Sequence, residues 1–189
     1  MQVSTRNLML TGLFTALMII SSYIVVPIGP VPITLQTFVV LLAGMLLGPK
    51  FGLLSMLTWI LLGCIGLPVF NQGQAGAVML VGPTGGFIVS FAVMAWLVGY
   101  LTENYPTDKL WLNAAYVVVA VFVCYFLGLL GFMASFTFFL GKPMTWSKAF
   151  SLAVAPFLPF DIIKACLASF LGIKVRNALL LAGLITKAK

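Results

Sequence analysis

Two ionisable residues three positions apart, Asp161 and Lys164, stand inside the last long apolar run of the chain, within Pro156-Phe157-Leu158-Pro159-Phe160-Asp161-Ile162-Ile163-Lys164. Counted from Phe150 to Ile173 the run has 24 residues, and Asp161 is the twelfth, so the spacing predicts a pair near mid-membrane. A charge at a helix centre costs roughly 2.5–3.5 kcal/mol on insertion scales and persists chiefly when paired or facing a polar cavity. The i, i+3 spacing puts both side chains on one helix face. Their attraction, about 4 kcal/mol at 4 Å and an effective dielectric near 20, falls short of a summed cost of roughly 5–7 kcal/mol. A hydrogen-bonding ligand would offset the difference. The alternative is an internal salt bridge that only fixes helix orientation.

The elements that position this pair are membrane spans. Hydrophobic residues make up 62% of the 189, charged residues 7%, and the mean hydropathy is +1.20. Such values lie far from the quarter-charged composition of soluble domains. The expectation is a single all-α integral membrane domain over residues 1–189, with no separate catalytic or regulatory unit. The net charge of +7 comes from basic residues scattered singly between apolar runs. They form no stripe, which argues against a nucleic-acid partner. Cys64, Cys124 and Cys166 stand singly, and histidine is absent, so neither a metal site nor the usual nucleophilic triads are expected. No GxxxxGK[ST] loop is present to hold ATP. No cofactor is expected.

Hydrophobic runs predict six spans at about 7–26, 34–47, 51–65, 84–101, 110–140 and 150–173. The first is read as mature structure rather than as a signal peptide. Gly12 and Ala16 lie four apart on it, the spacing that lets helices approach closely. A connection with three prolines then leads to Thr34, Gln36 and Thr37 at the start of the second span, where helix capping and ligand binding are both open. Gly48-Pro49-Lys50 is a tight turn. The longest polar break, 69–83, holds Asn71, Gln72 and Gln74 and reads as a lid or pocket wall. Gly82-Pro83-Thr84-Gly85-Gly86 opens the fourth span and could offer backbone N–H groups to an anion or carbonyl, or make an ordinary turn. The 110–140 run is too long for one bilayer core and too short for two spans, so it predicts one long helix. Seven basic residues (Arg6, Lys50, Lys109, Lys174, Arg176, Lys187, Lys189) fall on one side, which predicts both termini in the cytoplasm and the polar loops outside.

Three motifs in this order, Pro30-Val31-Pro32-Ile33-Thr34-Leu35-Gln36-Thr37, Gly82-Pro83-Thr84-Gly85-Gly86 and Phe157-Leu158-Pro159-Phe160-Asp161-Ile162-Ile163-Lys164, resemble the BioY family. The resemblance runs from the first helix to Lys164. It implies a biotin-specific S component of an energy-coupling-factor (ECF) transporter: a bundle of six transmembrane helices in the cell membrane with a deep pocket open to the outside. It also implies partners, a transmembrane coupling subunit and two cytoplasmic ATPase subunits. The family's site positions match Asp161, Lys164, Thr34, Gln36, Gly85 and Gly86. The docking pattern on its first helix is Ala-xxx-Ala, where this chain has Gly12 and Ala16, and its small third-loop residues are replaced here by Asn71 and Gln72.

Biotin carries a ureido ring with two N–H donors and a carbonyl, an apolar thioether ring, and a carboxylate on an aliphatic tail. Asp161 is expected to accept from the ureido nitrogens and Lys164 to donate to a ligand oxygen. Amides at Asn71 or Gln74 and the backbone near Gly85 and Gly86 could hold the carboxylate. Trp59, Phe70 and Phe157 would wall the apolar part. The rival readings are an S component for another vitamin and an intramembrane enzyme built on Asp161. The second lacks a histidine or second carboxylate near the same depth.

Overall fold

The structure, a computed structural model, describes residues 5–27 and 31–181. Residues 28–30 of the proline-rich connection, and Lys187 and Lys189 of the charge asymmetry, lie outside the described residues. Six helices carry the fold: α1 (Thr5–Tyr23), α2 (Gln36–Cys64), α3 (Gly85–Asn104), α4 (Leu110–Ala134), α5 (Trp146–Ala153) and α6 (Leu158–Leu181). Three of these helical stretches are long and apolar enough to cross a membrane, and α5 with α6 makes a bent fourth. Their outward faces are studded with exposed apolar side chains such as Leu61, Phe122 and Ile162. In water this would be an aggregation surface; in lipid it is the solvent-facing side.

Helix α2 is two arms. Gly48 takes φ 76°, ψ 179° and Pro49 follows it, so the intrahelical hydrogen-bond ladder cannot continue through that point. The chain doubles back there: a Cβ on Gly52 would stand 3.0 Å from the Gly44 Cα. Helix α3 packs into the turn, since a Cβ on Gly99 would meet the Gly48–Pro49 peptide at 2.6 Å. Small residues thus permit a three-way backbone approach that lipid chains cannot supply.

The 110–140 run forms α4, which continues into a π-turn over Ser135–Phe139. The last run departs from expectation. Instead of one helix from 150 to 173 with Asp161 at its middle, α5 and α6 are separated at residues 154–157 and bent by 55°. Pro156 lies in the break and Pro159 in the first turn of α6, where no intrahelical N–H is required of it. Asp161 therefore stands in the first turn of α6.

A two-residue antiparallel ladder that the sequence reading did not foresee, β1 (Val25–Val26) with β2 (Ile33–Thr34), pairs Val25 with Thr34. It fixes the backbone of Thr34 beside α6. The 65–84 loop folds through short 3₁₀ turns at Asn71–Gly73 and Ala77–Leu80. Ser22 Oγ and Trp59 Nε1 each donate to Val69 O at 2.9 Å, and Tyr23 Oη donates to Pro68 O. One apolar cluster gathers Met18, Leu41, Met56, Trp59, Phe70 and Met94; a second gathers Ile33, Phe87, Phe132 and Phe157. The candidate site lies where they meet.

Candidate functional site

Asp161 is the centre of a hydrogen-bond chain. Lys164 Nζ donates to Asp161 Oδ1 at 2.7 Å and to Thr34 O at 2.6 Å, while Tyr125 Oη donates to Asp161 Oδ2 at 2.5 Å. The pair is buried, with Asp161 5% and Lys164 8% exposed. Helix α6 contributes Asp161 and Lys164, α4 contributes Tyr125, and the β2 strand contributes Thr34. The ammonium has three N–H donors; two are used within the protein, and one remains.

Thr34 and Gln36 form a second unit. Thr34 Oγ1 donates to Gln36 Oε1 at 3.1 Å and accepts from the Gln36 amide at 3.2 Å. With its carbonyl engaged, the Gln36 side chain presents Nε2 to the interior, and that nitrogen has no partner although Gln36 is only 2% exposed. Asn71 Oδ1 is likewise buried and unpartnered. Three buried side-chain polar atoms lack a partner among the described residues, and the residues that carry two of them, Gln36 and Asn71, line one cavity with Asp161 and Lys164. Each such group costs roughly 1–3 kcal/mol when left unmade. Their presence in the lining of one cavity marks a place for a ligand's polar atoms.

Of the residues expected at the site, the structure brings together Thr34, Gln36, Asn71, Phe157, Asp161 and Lys164 on the cavity wall. It places the others elsewhere. Trp59 and Phe70 stand in the core beneath the loop as an edge-on pair with centroids 5.1 Å apart, outside the lining. Gln74 is exposed, and its carbonyl accepts from the Phe70 amide at 3.0 Å. The Gly85 amide is engaged by Gly82 O at 2.9 Å, and a Cβ there would strike Leu80 O. A Cβ on Gly86 would stand 2.7 Å from Gly131 Cα of α4. Both glycines therefore serve packing here, and neither lines the cavity. Gly12 and Ala16 are exposed on α1, and nothing stands within 4 Å of a Cβ built on Gly12.

Tyr125 is the principal residue the sequence reading missed; Thr84, Phe87, Phe91 and Cys124 also line the cavity. A signal existed. Membrane tyrosines favour the ends of a span, whereas Tyr125 falls in the middle of the 110–140 run. A hydroxyl at that depth needs a partner, and Asp161 is that partner.

The fold and site define a class: a multi-pass helical membrane protein with a buried, partly unsatisfied polar cavity facing apolar walls. The sequence matches the BioY family over residues 1–180, and the chain belongs to that family. It is 37% identical over 172 residues to the biotin transporter BioY of Thermotoga maritima, covering 91% of this chain and 96% of that one. It is 35% identical over 177 residues to the probable biotin transporter BioY of Pyrococcus horikoshii, covering 93% and 99%. A solved structure, the S-component for biotin from an ECF-type ABC transporter, superimposes with a TM-score of 0.82 at 28% identity, covering 93% of this chain and 95% of that one.

Proposed function

We propose that this chain is the biotin-binding S component of an ECF-type uptake transporter, a substrate-binding subunit rather than an enzyme. The observation that carries this reading is that Gln36 and Asn71, each with an unpartnered buried amide atom, line one cavity with the Asp161–Lys164 pair. A ureido group answers that arrangement. Its N–H groups donate to the remaining lone pairs of Asp161, and its carbonyl accepts from the third Lys164 N–H and from Gln36 Nε2. Asn71 Oδ1, an acceptor, shares the ureido N–H donors with Asp161, and Phe87, Phe91 and Phe157 cover the rings and tail. The cavity is narrow, about 50 Å³. A bicyclic ligand therefore enters with an outward shift of the 65–84 loop, which acts as the lid.

In this reading the chain crosses the membrane six times, α2 contributing both its arms, with both termini in the cytoplasm. The exposed Gly12–Ala16 face of α1 docks a transmembrane coupling subunit, which links it to two cytoplasmic ATPase subunits. The match to an S-component structure and the unoccupied small-residue face support this arrangement.

Tryptophan fluorescence tests the ligand. Trp59 lies 6.3 Å from Phe91, a cavity residue, while Trp96, Trp111 and Trp146 are exposed. Biotin is expected to give a saturable change that disappears in Trp59→Phe, with no saturation by thiamine or riboflavin. Saturation by one of those vitamins instead would overturn the specificity and keep the S-component architecture.

Two variants probe the hydrogen bonds. Gln36→Met removes the unsatisfied buried Nε2 donor together with the Oε1 acceptor of Thr34 Oγ1, two changes of opposite sign, so thermal stability is expected to change little while biotin affinity falls about tenfold, the worth of one net hydrogen bond. A parallel loss of stability and affinity would assign Gln36 to structure instead. Tyr125→Phe removes one donor from a carboxylate, worth roughly 1.5–3 kcal/mol. It is expected to weaken biotin at least tenfold in the parent and to have little effect once Asp161→Asn is present. Equal effects in both backgrounds would show that Tyr125 does not act through Asp161.

A further inference from the structure

The end of the bundle remote from Asp161 holds a second cavity, about 400 Å³, that biotin binding does not use. It lies between the end of α3, the α3–α4 turn, the start of α4 and the later turns of α6. Arg176 reaches across it from α6, and Nη1 donates to Thr102 O at 2.7 Å. A guanidinium has five N–H donors, so that tether fixes its position and leaves donors over. Lys109 stands at the rim as the N-cap of α4. The turn that carries it is built rigidly: its amide bonds Thr107 Oγ1 at 3.1 Å, and buried Asn113 donates from Nδ2 to Thr107 O at 2.8 Å. Asp108 is the only acid in the lining, so the side chains sum to one positive charge, to which the positive end of α4 adds. Met45 and Ile173 supply apolar wall.

Aromatic residues fix the depth. Tyr105 and Trp111 flank the same turn and are 57% and 66% exposed, and Tyr116 Oη donates to Tyr105 O at 3.2 Å. Exposed tyrosine and tryptophan at one end of membrane helices lie at headgroup level. A ligand of this cavity is therefore anionic at its head, apolar in its body and resident at the membrane interface. We propose that the cavity binds the headgroup of an anionic phospholipid, with the phosphate on Arg176 and Lys109, a headgroup hydroxyl on Asp108, and the upper acyl chain along Met45 and Ile173. Basic pockets between membrane helices at the interface recognise such headgroups.

The test uses the full chain, delipidated in detergent and offered phosphatidylglycerol, phosphatidylethanolamine or phosphatidylcholine, with retained lipid read by native mass spectrometry. Phosphatidylglycerol is expected to be retained preferentially. Lys109→Gln, at the exposed rim, is expected to reduce that retention roughly fivefold, and Lys109→Gln/Arg176→Gln to abolish the preference; biotin binding by the single variant should match the parent. Equal retention of the three lipids, or a preference for phosphatidylethanolamine, would overturn the proposal. So would a preference unchanged in both variants. Displacement of phosphatidylglycerol by millimolar inorganic phosphate would assign a free-anion site and refute the lipid one.

Discussion

Lys164→Ala is expected to destabilise the protein strongly and to weaken biotin binding by about one to two orders of magnitude, the worth of one lost charged hydrogen bond to the ligand. Removing one member of a buried ion pair typically costs 3–5 kcal/mol, because the other is left charged and unpaired. Here Asp161 would keep only the Tyr125 hydroxyl, and Thr34 O would lose its donor. Thermal unfolding and biotin titration of the purified protein separate the two losses. In Asp161→Asn/Lys164→Met no buried charge remains, so stability should recover toward the parent, as replacements of buried pairs by neutral groups often do. Affinity should not recover. A double variant that binds biotin like the parent would show that the pair serves only the fold.

The bend before α6 explains how the pair is tolerated. Burying both charges costs roughly 5–7 kcal/mol, and their mutual attraction returns about 4 kcal/mol. Because Asp161 lies in the first turn of α6, the helix N-terminus adds about 1 kcal/mol. The Tyr125 hydroxyl adds roughly 1.5 kcal/mol as a hydrogen bond to a charged group. The account then nearly closes within the protein. A deficit in the ion pair is thus not the sign of a ligand. That sign is the pair of unpartnered amide atoms, Gln36 Nε2 and Asn71 Oδ1, whose residues line one cavity with Asp161 and Lys164.

Membrane class, family, and the presence of Asp161, Lys164, Thr34 and Gln36 on one cavity wall were legible because they rest on residue type, spacing and motif. What was not legible depends on contacts distant in sequence. The break at 154–157 could have been suspected from Pro156 and Pro159, yet an unbroken apolar run outweighed them. Tyr125 is 36 residues from Asp161, and no local pattern joins them. Gly85 and Gly86 show the reverse error. Their sequence suggests an anion cradle, but a glycine also permits backbones to touch, and Leu80 and Gly131 occupy the space where a Cβ would be. Composition cannot distinguish a glycine facing a ligand from one facing another helix.

Trp59→Ala is the second large effect expected, and it acts at one remove from the ligand. Trp59 and Phe70 are both 1% exposed and packed edge to ring, and the indole N–H holds Val69 O. Truncating a buried tryptophan costs roughly 3–5 kcal/mol. That loss falls on the foot of the 65–84 loop, and Asn71 is the next residue after Phe70. Stability should therefore fall, and bound biotin should leave faster as the loop opens more often. Association should change little, because no residue on the cavity wall has been altered. Trp59→Phe keeps an aromatic ring in the core, and Ser22 Oγ still donates to Val69 O at 2.9 Å, so its cost should be much smaller. Stopped-flow dissociation of labelled biotin from both variants decides the matter. An off-rate in Trp59→Ala equal to the parent's would mean that the loop is held by its own turns and that the Trp59–Phe70 pair only fills space.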